Sequence, residues 1–466
     1  MSKGIISSVP QLTAAEKVKW LISVLVPLVV ILIPTNAVLT LPLKSFIAVT
    51  ALGILLFAFE LVDTLIGSFI LIFGYIIFQV APMSVVLQPW TQELPWMILG
   101  SLLLVGIVQR TTLLNRIAYF CAIRTGGTYT GIIMGMITIC IIVSLLVPAS
   151  TAVIGMYVIA YGLCQALNLG VSKASAGIMI ATAMGFMDAY YFIYSPTYIY
   201  LLYNAVQPVF PVEANYITFF LHNAVFLVGL YLKGFLLAKI ARPKEAINGK
   251  AFFIQEQSKL AAMTKDEKKI LCVLLLLVAY LLTYQFHHFS MMYGFIVAPL
   301  ILYLPGLRIG TGEDIAKINY STVIFIAACL SIGSVAVYVG AGETFSSLVY
   351  PLLENANKPM FMAIVWVLVV IFNFLMTPAA EMAAFGVPFA QLCLDCGVGI
   401  YPMIYTFFQG GSNLLLPYEA AMWLVAYSFG VIKLKDFILL MAFKMAFDFV
   451  FLMVVGVPYW YLIGIL

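Results

Sequence analysis

Charge is scarce in this chain. Asp, Glu, Lys and Arg together supply 9% of its 466 residues, while hydrophobic types supply 64%. Soluble globular chains carry about 25% charged and about 45–50% apolar residues, so no water-exposed surface can be built from this composition, and a soluble enzyme is excluded. Intrinsic disorder is excluded too, because it needs polar sequence poor in aromatics, and 14% of these residues are aromatic. A formal net charge of only +4 provides no concentrated basic face, so no nucleic-acid partner is expected. Histidine is nearly missing, with three residues. Neither metal-ligand spacing nor a nucleophile–base pair is visible, so the chain reads as no enzyme, without cofactor or transition metal. The seven cysteines read as reduced packing thiols, and no cleavable leader is expected before the first apolar run at Leu21.

What remains is an all-α polytopic membrane protein. A hydrocarbon slab about 30 Å thick takes roughly 20 helical residues to cross. On that ruler the apolar runs give about 11 spans, near 21–35, 45–59, 61–80, 95–109, 174–202, 215–238, 270–285, 289–304, 322–340, 400–430 and 437–460. Residues 129–168 and 358–394 are each long enough for two helices, and each is interrupted by a proline beside small polar residues, at Pro148 and Pro378. The connections 81–95, 203–214, 284–290 and 341–357 hold no Lys or Arg, whereas 239–269 holds eight. By the positive-inside rule the basic connections face the cytosol together with the amino terminus, in a cytoplasmic (inner) membrane. The alternation closes only if 129–168 and 358–394 each enter and leave on one side, as two re-entrant hairpins of opposite orientation. The expected organisation is therefore a cytosolic lead over 1–20, a first half over 21–240, a cytosolic linker over 241–269 and a second half over 270–466.

The halves echo one another. Asp188 lies forty residues after Pro148, and Glu419 forty-one after Pro378. Gly185-Phe186-Met187-Asp188 in one half matches Gly410-Gly411-Ser412-Asn413 in the other. An inverted repeat with broken helices is a pattern of secondary transporters, with binding where the repeats meet. Each hairpin tip presents the amino end of its return helix, with orphan N–H groups and about half a positive charge. Pro148 and Pro378 suit the first helical position and Thr377 suits the N-cap. Two such ends would bind an anion with no buried Lys or Arg partner. A proline that only kinks a spanning helix is the alternative for either one alone.

Carboxylates within or beside apolar runs (Glu60, Asp188, Glu381, Glu419) cost roughly 2.5–3.5 kcal/mol each on insertion scales and need a partner, a proton or a cation. Asp188 and Glu419 sit in matching breaks. They can ligate sodium, carry protons, or only solvate the break. Glu381 on the first turn of the second return helix either couples an ion or stabilises the helix end. Lys444 and Asp448, four apart, read as a mutual ion pair. Tyr190, Tyr191 and Tyr194 lie near Asp188, Tyr203 reads as interfacial, and His222 reads as isolated.

At these residues the chain resembles the divalent anion:sodium symporter (DASS) family, nearly end to end. The resemblance implies a homodimer of scaffold and transport domains with an elevator-type motion. The family's Ser-Asn-Thr triplets fall on Pro148-Ala149-Ser150 and on Thr377-Pro378-Ala379, so both asparagines are replaced. An upstream ligand position of each sodium site falls on Ser144 and Asn373, and the helix breaks fall around Met187–Pro196 and Pro417–Ala421. The expected anion site thus takes in Pro148, Ala149, Ser150, Thr151, Thr377, Pro378, Ala379 and Ala420. The cation positions are Ser144, Asp188, Asn373, Glu381 and Glu419, with Na+ or H+ as coupling ion. The expected function is symport of a di- or tricarboxylate, or of an oxyanion such as sulfate. A cation/proton antiporter, a cation-independent anion exchanger and a non-transporting scaffold are the rivals.

Overall fold

Helix ends in this chain follow capping residues rather than the limits of the apolar runs. The computed structural model describes residues 13–466 apart from 37–38, 60, 125–126, 147–151, 196–197, 244–249, 342–343, 345–349, 352, 354–355 and 375–377. The first half contains α1 (Ala14–Leu32), α2 (Leu41–Ala58), α3 (Thr64–Ile77), α4 (Glu93–Gln109) and α5 (Tyr129–Leu146). It continues with α6 (Ala152–Ala166), α7 (Lys173–Met187), α8 (Ile199–Val206) and α9 (Val225–Ile240). The second half contains α10 (Lys265–Leu282), α11 (Met291–Tyr303), α12 (Tyr320–Tyr338) and α13 (Lys358–Asn373). After these come α14 (Pro378–Asp395), α15 (Ile400–Gly411), α16 (Ala421–Ser428) and α17 (Leu434–Phe451). Thr13 with Glu16, and Thr264 with Glu267, close capping boxes on α1 and α10, and Asp63 caps α3. No strand occurs among the described residues.

The fold is all-helical and of the polytopic membrane-transporter type. Among the described residues, three helices are long and apolar enough to cross a membrane: Tyr129–Leu146, Tyr320–Tyr338 and the continuous Leu434–Leu462. Tyr216–Asn223 and Val225–Ile240, bent by 56°, form a fourth when taken together. Most other apolar runs fold as shorter helices, such as Thr64–Ile77 and Lys358–Asn373. Run length overestimates helix length because proline, glycine and buried polar residues end a helix inside an apolar stretch. The tips of both expected hairpins, 147–151 and 375–377, lie outside the described residues, as does Glu60.

Several contacts made by α3–α9 are repeated by α11–α17. α4 packs on α11, and its counterpart α12 packs on α3. Within each half, α5 and α6 pack on α7 as α13 and α14 pack on α15. Across halves, α8 packs on α14 and α16 on α6. The counterparts α9 and α17 pack on each other, so they meet where the halves exchange contacts. One large apolar core runs through α4–α17, and a smaller one joins Leu43, Phe46 and Leu71 of α2 and α3 to Ile332 and Val335 of α12. Exposed Leu25, Leu28, Val29 and Leu32 on α1 give an outward apolar face suited to lipid. At the basic connections two polar ties hold the halves. Arg110 bridges Asp314 at 2.6 Å, and Glu267 accepts from the Thr112 hydroxyl while facing Arg116 at 3.3 Å.

Candidate functional site

Both broken helices end as their sequences dictate. α7 stops at Asp188, where a three-ten turn over Asp188–Tyr191 leads into non-helical chain over 192–195. In the second half, Gly410 and Gly411 bring the end of α15 close against α13 and α14. A Cβ on Gly410 would lie 2.9 Å from Val369 Cγ1 and 3.1 Å from the Trp366 carbonyl oxygen, so glycine is required for this approach. Ser412 and Asn413 turn their side chains back onto the carbonyls of Phe408 and Gln409, which unwinds the chain beyond. Glu419 then accepts from the Leu415 and Leu416 amides, capping the short turn Pro417–Glu419.

Four buried charges meet between these breaks. Asp188, Lys233 on α9, and Lys444 and Asp448 on α17 are each at most 5% exposed. Lys233 Nζ donates to Asp188 Oδ2 and to Asp448 Oδ1, both at 2.5 Å. Lys444 Nζ donates to Asp448 Oδ2 at 2.9 Å and stands 3.3 Å from Asp188 Oδ1, an ion-pair distance without hydrogen-bond alignment. The charges alternate around a ring and cancel. Tyr191, from the first break, donates its hydroxyl to Asp448 at 3.2 Å, and its ring faces both ammonium groups at 5.4 and 5.6 Å. Lys444 also reaches the second break, donating to Asn413 Oδ1 at 3.1 Å and to the Ser412 carbonyl at 3.3 Å. Isolated charges at this depth would be prohibitive; paired and hydrogen-bonded, they are tolerated.

Glu381 has no such compensation. It is fully buried on the first turn of α14, and among the described residues neither carboxylate oxygen has a hydrogen-bond partner. Its Oε2 lies 3.3 Å from where a Cβ on Gly411 would stand, so the carboxylate abuts the second break. Asn373, at the end of α13, meets the same segment, donating to the Gly410 and Asn413 carbonyls at 3.0 and 3.2 Å. Its Oδ1 is also unpartnered among the described residues, as is Gln409 Nε2. A carboxylate and an amide oxygen thus stand uncompensated beside an unwound helix.

The remaining positions divide clearly. Pro148, Ala149, Ser150, Thr151 and Thr377 lie outside the described residues. Ala379 is buried beside the half-buried Pro378, and Ala420 precedes α16 in extended conformation. Ser144 is buried, and its hydroxyl donates to the Ile141 carbonyl of its own helix. Among the described residues no hydrogen bond or ion pair joins Asp188 to Glu419: the first faces lysines, the second backbone amides. The expected absence of a basic partner concerned the hairpin tips, which lie outside the described residues; at Asp188 itself, Lys233 and Lys444 both stand against the carboxylate. Lys444 and Asp448 do pair, as expected, but within a larger ring. His222 is not isolated, because its Nδ1 lies 2.8 Å from the Tyr405 hydroxyl. Tyr203 is not interfacial, being 2% exposed. Cys393 and Cys396 have the C-x-x-C spacing and are free thiols.

Comparison with known proteins bears directly on this arrangement. The profile of the sodium:sulfate symporter transmembrane region matches residues 14–466. The chain belongs to this family. This symporter-family chain also resembles the Alcanivorax borkumensis YdaH transporter, known from a crystal structure, at a TM-score of 0.54 and 14% identity. That similarity covers 97% of this chain and 98% of the other, and at such low identity it speaks for the fold. A search of curated proteins found no match. The symporter-family chain is thus an anion-transporter homologue and a multi-pass membrane protein.

Proposed function

We propose that this chain is a secondary active symporter of small anions, either di- and tricarboxylates or an inorganic oxyanion such as sulfate. The anion binds at the hairpin tips around Pro148–Thr151 and Thr377–Ala379, with Ala420 beside them, through backbone N–H groups and the hydroxyls of Ser150, Thr151 and Thr377. Transport domains move past scaffold domains in an elevator motion within a homodimer, and the amino terminus lies in the cytosol. The observation that carries the coupling is Glu381. A buried carboxylate without a partner among the described residues holds a proton or a cation, and Asn373 Oδ1 beside the same segment, likewise unpartnered among them, supplies a second oxygen. Sodium or a proton at Glu381 would neutralise the pocket as the anion binds, so each favours the other. The family's sodium:sulfate description and the broken-helix architecture support this reading.

Proteoliposome uptake tests it. Labelled sulfate and labelled succinate are offered with inward sodium, choline or proton gradients. Uptake of one of them is expected to need sodium or acid outside. In Glu381→Gln, the cation concentration for half-maximal uptake is expected to rise at least about tenfold, equivalent to about 1.4 kcal/mol. Unchanged cation dependence in that variant would remove Glu381 from coupling. Counterflow that persists with no cation gradient would favour exchange instead.

A further inference from the structure

The oxygen shell around Lys444 is that of a cation site. Its Nζ stands among Asp448 Oδ2 at 2.9 Å, Asn413 Oδ1 at 3.1 Å, the Tyr191 hydroxyl at 3.2 Å, and the Ser412 carbonyl and Asp188 Oδ1 at 3.3 Å. Two carboxylates, an amide, a phenol and a carbonyl freed by helix unwinding are the donor set that serves a hard cation. Lys233 completes the neutralisation at the other oxygens of the same two carboxylates. Glu381 in the second half has no hydrogen-bond partner among the described residues.

We infer that Lys233 and Lys444 are resident cations. They fill from within the chain the place that a dissolved cation would otherwise take at Asp188 and Asp448. The first helix break is then closed to exchangeable cations, and coupling is confined to one cation at Glu381. That last clause rests on the proposed function; the resident-cation assignment does not. A second consequence is mechanical. Because α9 and α17 carry the ammonium groups while the breaks carry Asp188 and Asn413, the ring clamps both breaks to these two helices throughout a cycle.

The test is a thermal-stability series on purified protein in detergent, at constant ionic strength in sodium, lithium, potassium or choline chloride. All variants carry Glu381→Gln, which silences the proposed coupling site. With both lysines intact, midpoints are expected to agree across the salts within about 1 °C. Adding Lys444→Met vacates the shell and leaves a net negative ring. Sodium or lithium is then expected to raise the midpoint by at least about 4 °C over choline, saturating with concentration as site binding does. The charge-balanced Lys444→Met/Asp448→Asn variant is expected to lose that dependence. It also shows that methionine fits the space, so a Lys444→Met chain equally unstable in every salt overturns the assignment. A sodium shift with both lysines intact overturns it as well. These melts stand whether or not anion uptake is found, and uptake can fail without altering them.

Discussion

Lys233→Met is expected to produce the largest loss of stability of any single substitution in this chain, about 3–5 kcal/mol, seen as a fall of roughly 10 °C in the detergent melting midpoint. The reason lies in what is left behind. Asp188 Oδ2 and Asp448 Oδ1 each lose a 2.5 Å charge-assisted bond, and the ring keeps two carboxylates against one ammonium. Bulk solvent is a poor substitute there, since Asp188 is fully buried and Asp448 is 5% exposed. The Lys233 ammonium also faces the rings of Tyr191 and Phe447 at 5.4 and 6.0 Å, which favours a cation there over a neutral thioether. Most of the penalty is the uncompensated charge rather than lost attraction. Lys233→Met/Asp448→Asn restores neutrality and is therefore expected to recover at least about 1 kcal/mol relative to the sum of the singles. Lys259→Met, at an exposed surface pair, serves as the control and is expected to change little. Equal midpoints for Lys233→Met and Lys259→Met would show that the ring does not carry its charge in the way the distances imply.

The ring also marks where sequence reading stops. Asp188 was legible because an acid inside an apolar run, after Gly185 and before a proline, has few innocent explanations, and the structure breaks the helix there. Gly410-Gly411-Ser412-Asn413 and Pro417 were legible for the same local reasons. Lys444 and Asp448 announced their pairing by spacing alone. Lys233 announced nothing, because it sits in an apolar helix forty-five residues from Asp188, and only the packing of α9 against α17 and the first break brings them together. Tyr203 and His222 were misplaced for a related reason. Amphipathic side chains read as interfacial or isolated until a tertiary partner, here Tyr405, satisfies them in the interior. The echo between the halves was visible as a few matched motifs, whereas the exchange of α3 and α11 between α12 and α4 is a property of three dimensions.

That exchange supplies the second large prediction, at Gly100. Gly100 on α4 faces α11 so closely that an added Cβ would lie 2.2 Å from the Phe295 carbonyl oxygen and 2.8 Å from its carbon. Both are backbone atoms, so no rotamer change relieves the collision and the two helices must separate. Gly100→Ala is accordingly expected to destabilise the chain by about 2–3 kcal/mol, toward the upper end of overpacking costs. Gly333 on the counterpart helix α12 is the internal control, since its nearest neighbour is the Ala383 carbonyl oxygen at 3.6 Å, an ordinary contact. Gly333→Ala should be neutral, or stabilising by a few tenths of a kcal/mol, because alanine favours a helix interior by up to about 1 kcal/mol. The contrast separates two ideas about the repeat. If both halves tolerated alanine alike, the close approach of α4 to α11 would not be a seam on which the fold depends. A large loss at Gly100 beside none at Gly333 would show that α4 meets α11 backbone to backbone, whereas α12 leaves room for a methyl group at Gly333 toward Ala383 of α14. Gly100 is none of the proposed anion or cation positions, so Gly100→Ala should lower the melting midpoint while leaving the half-saturating anion and cation concentrations of the surviving protein unchanged.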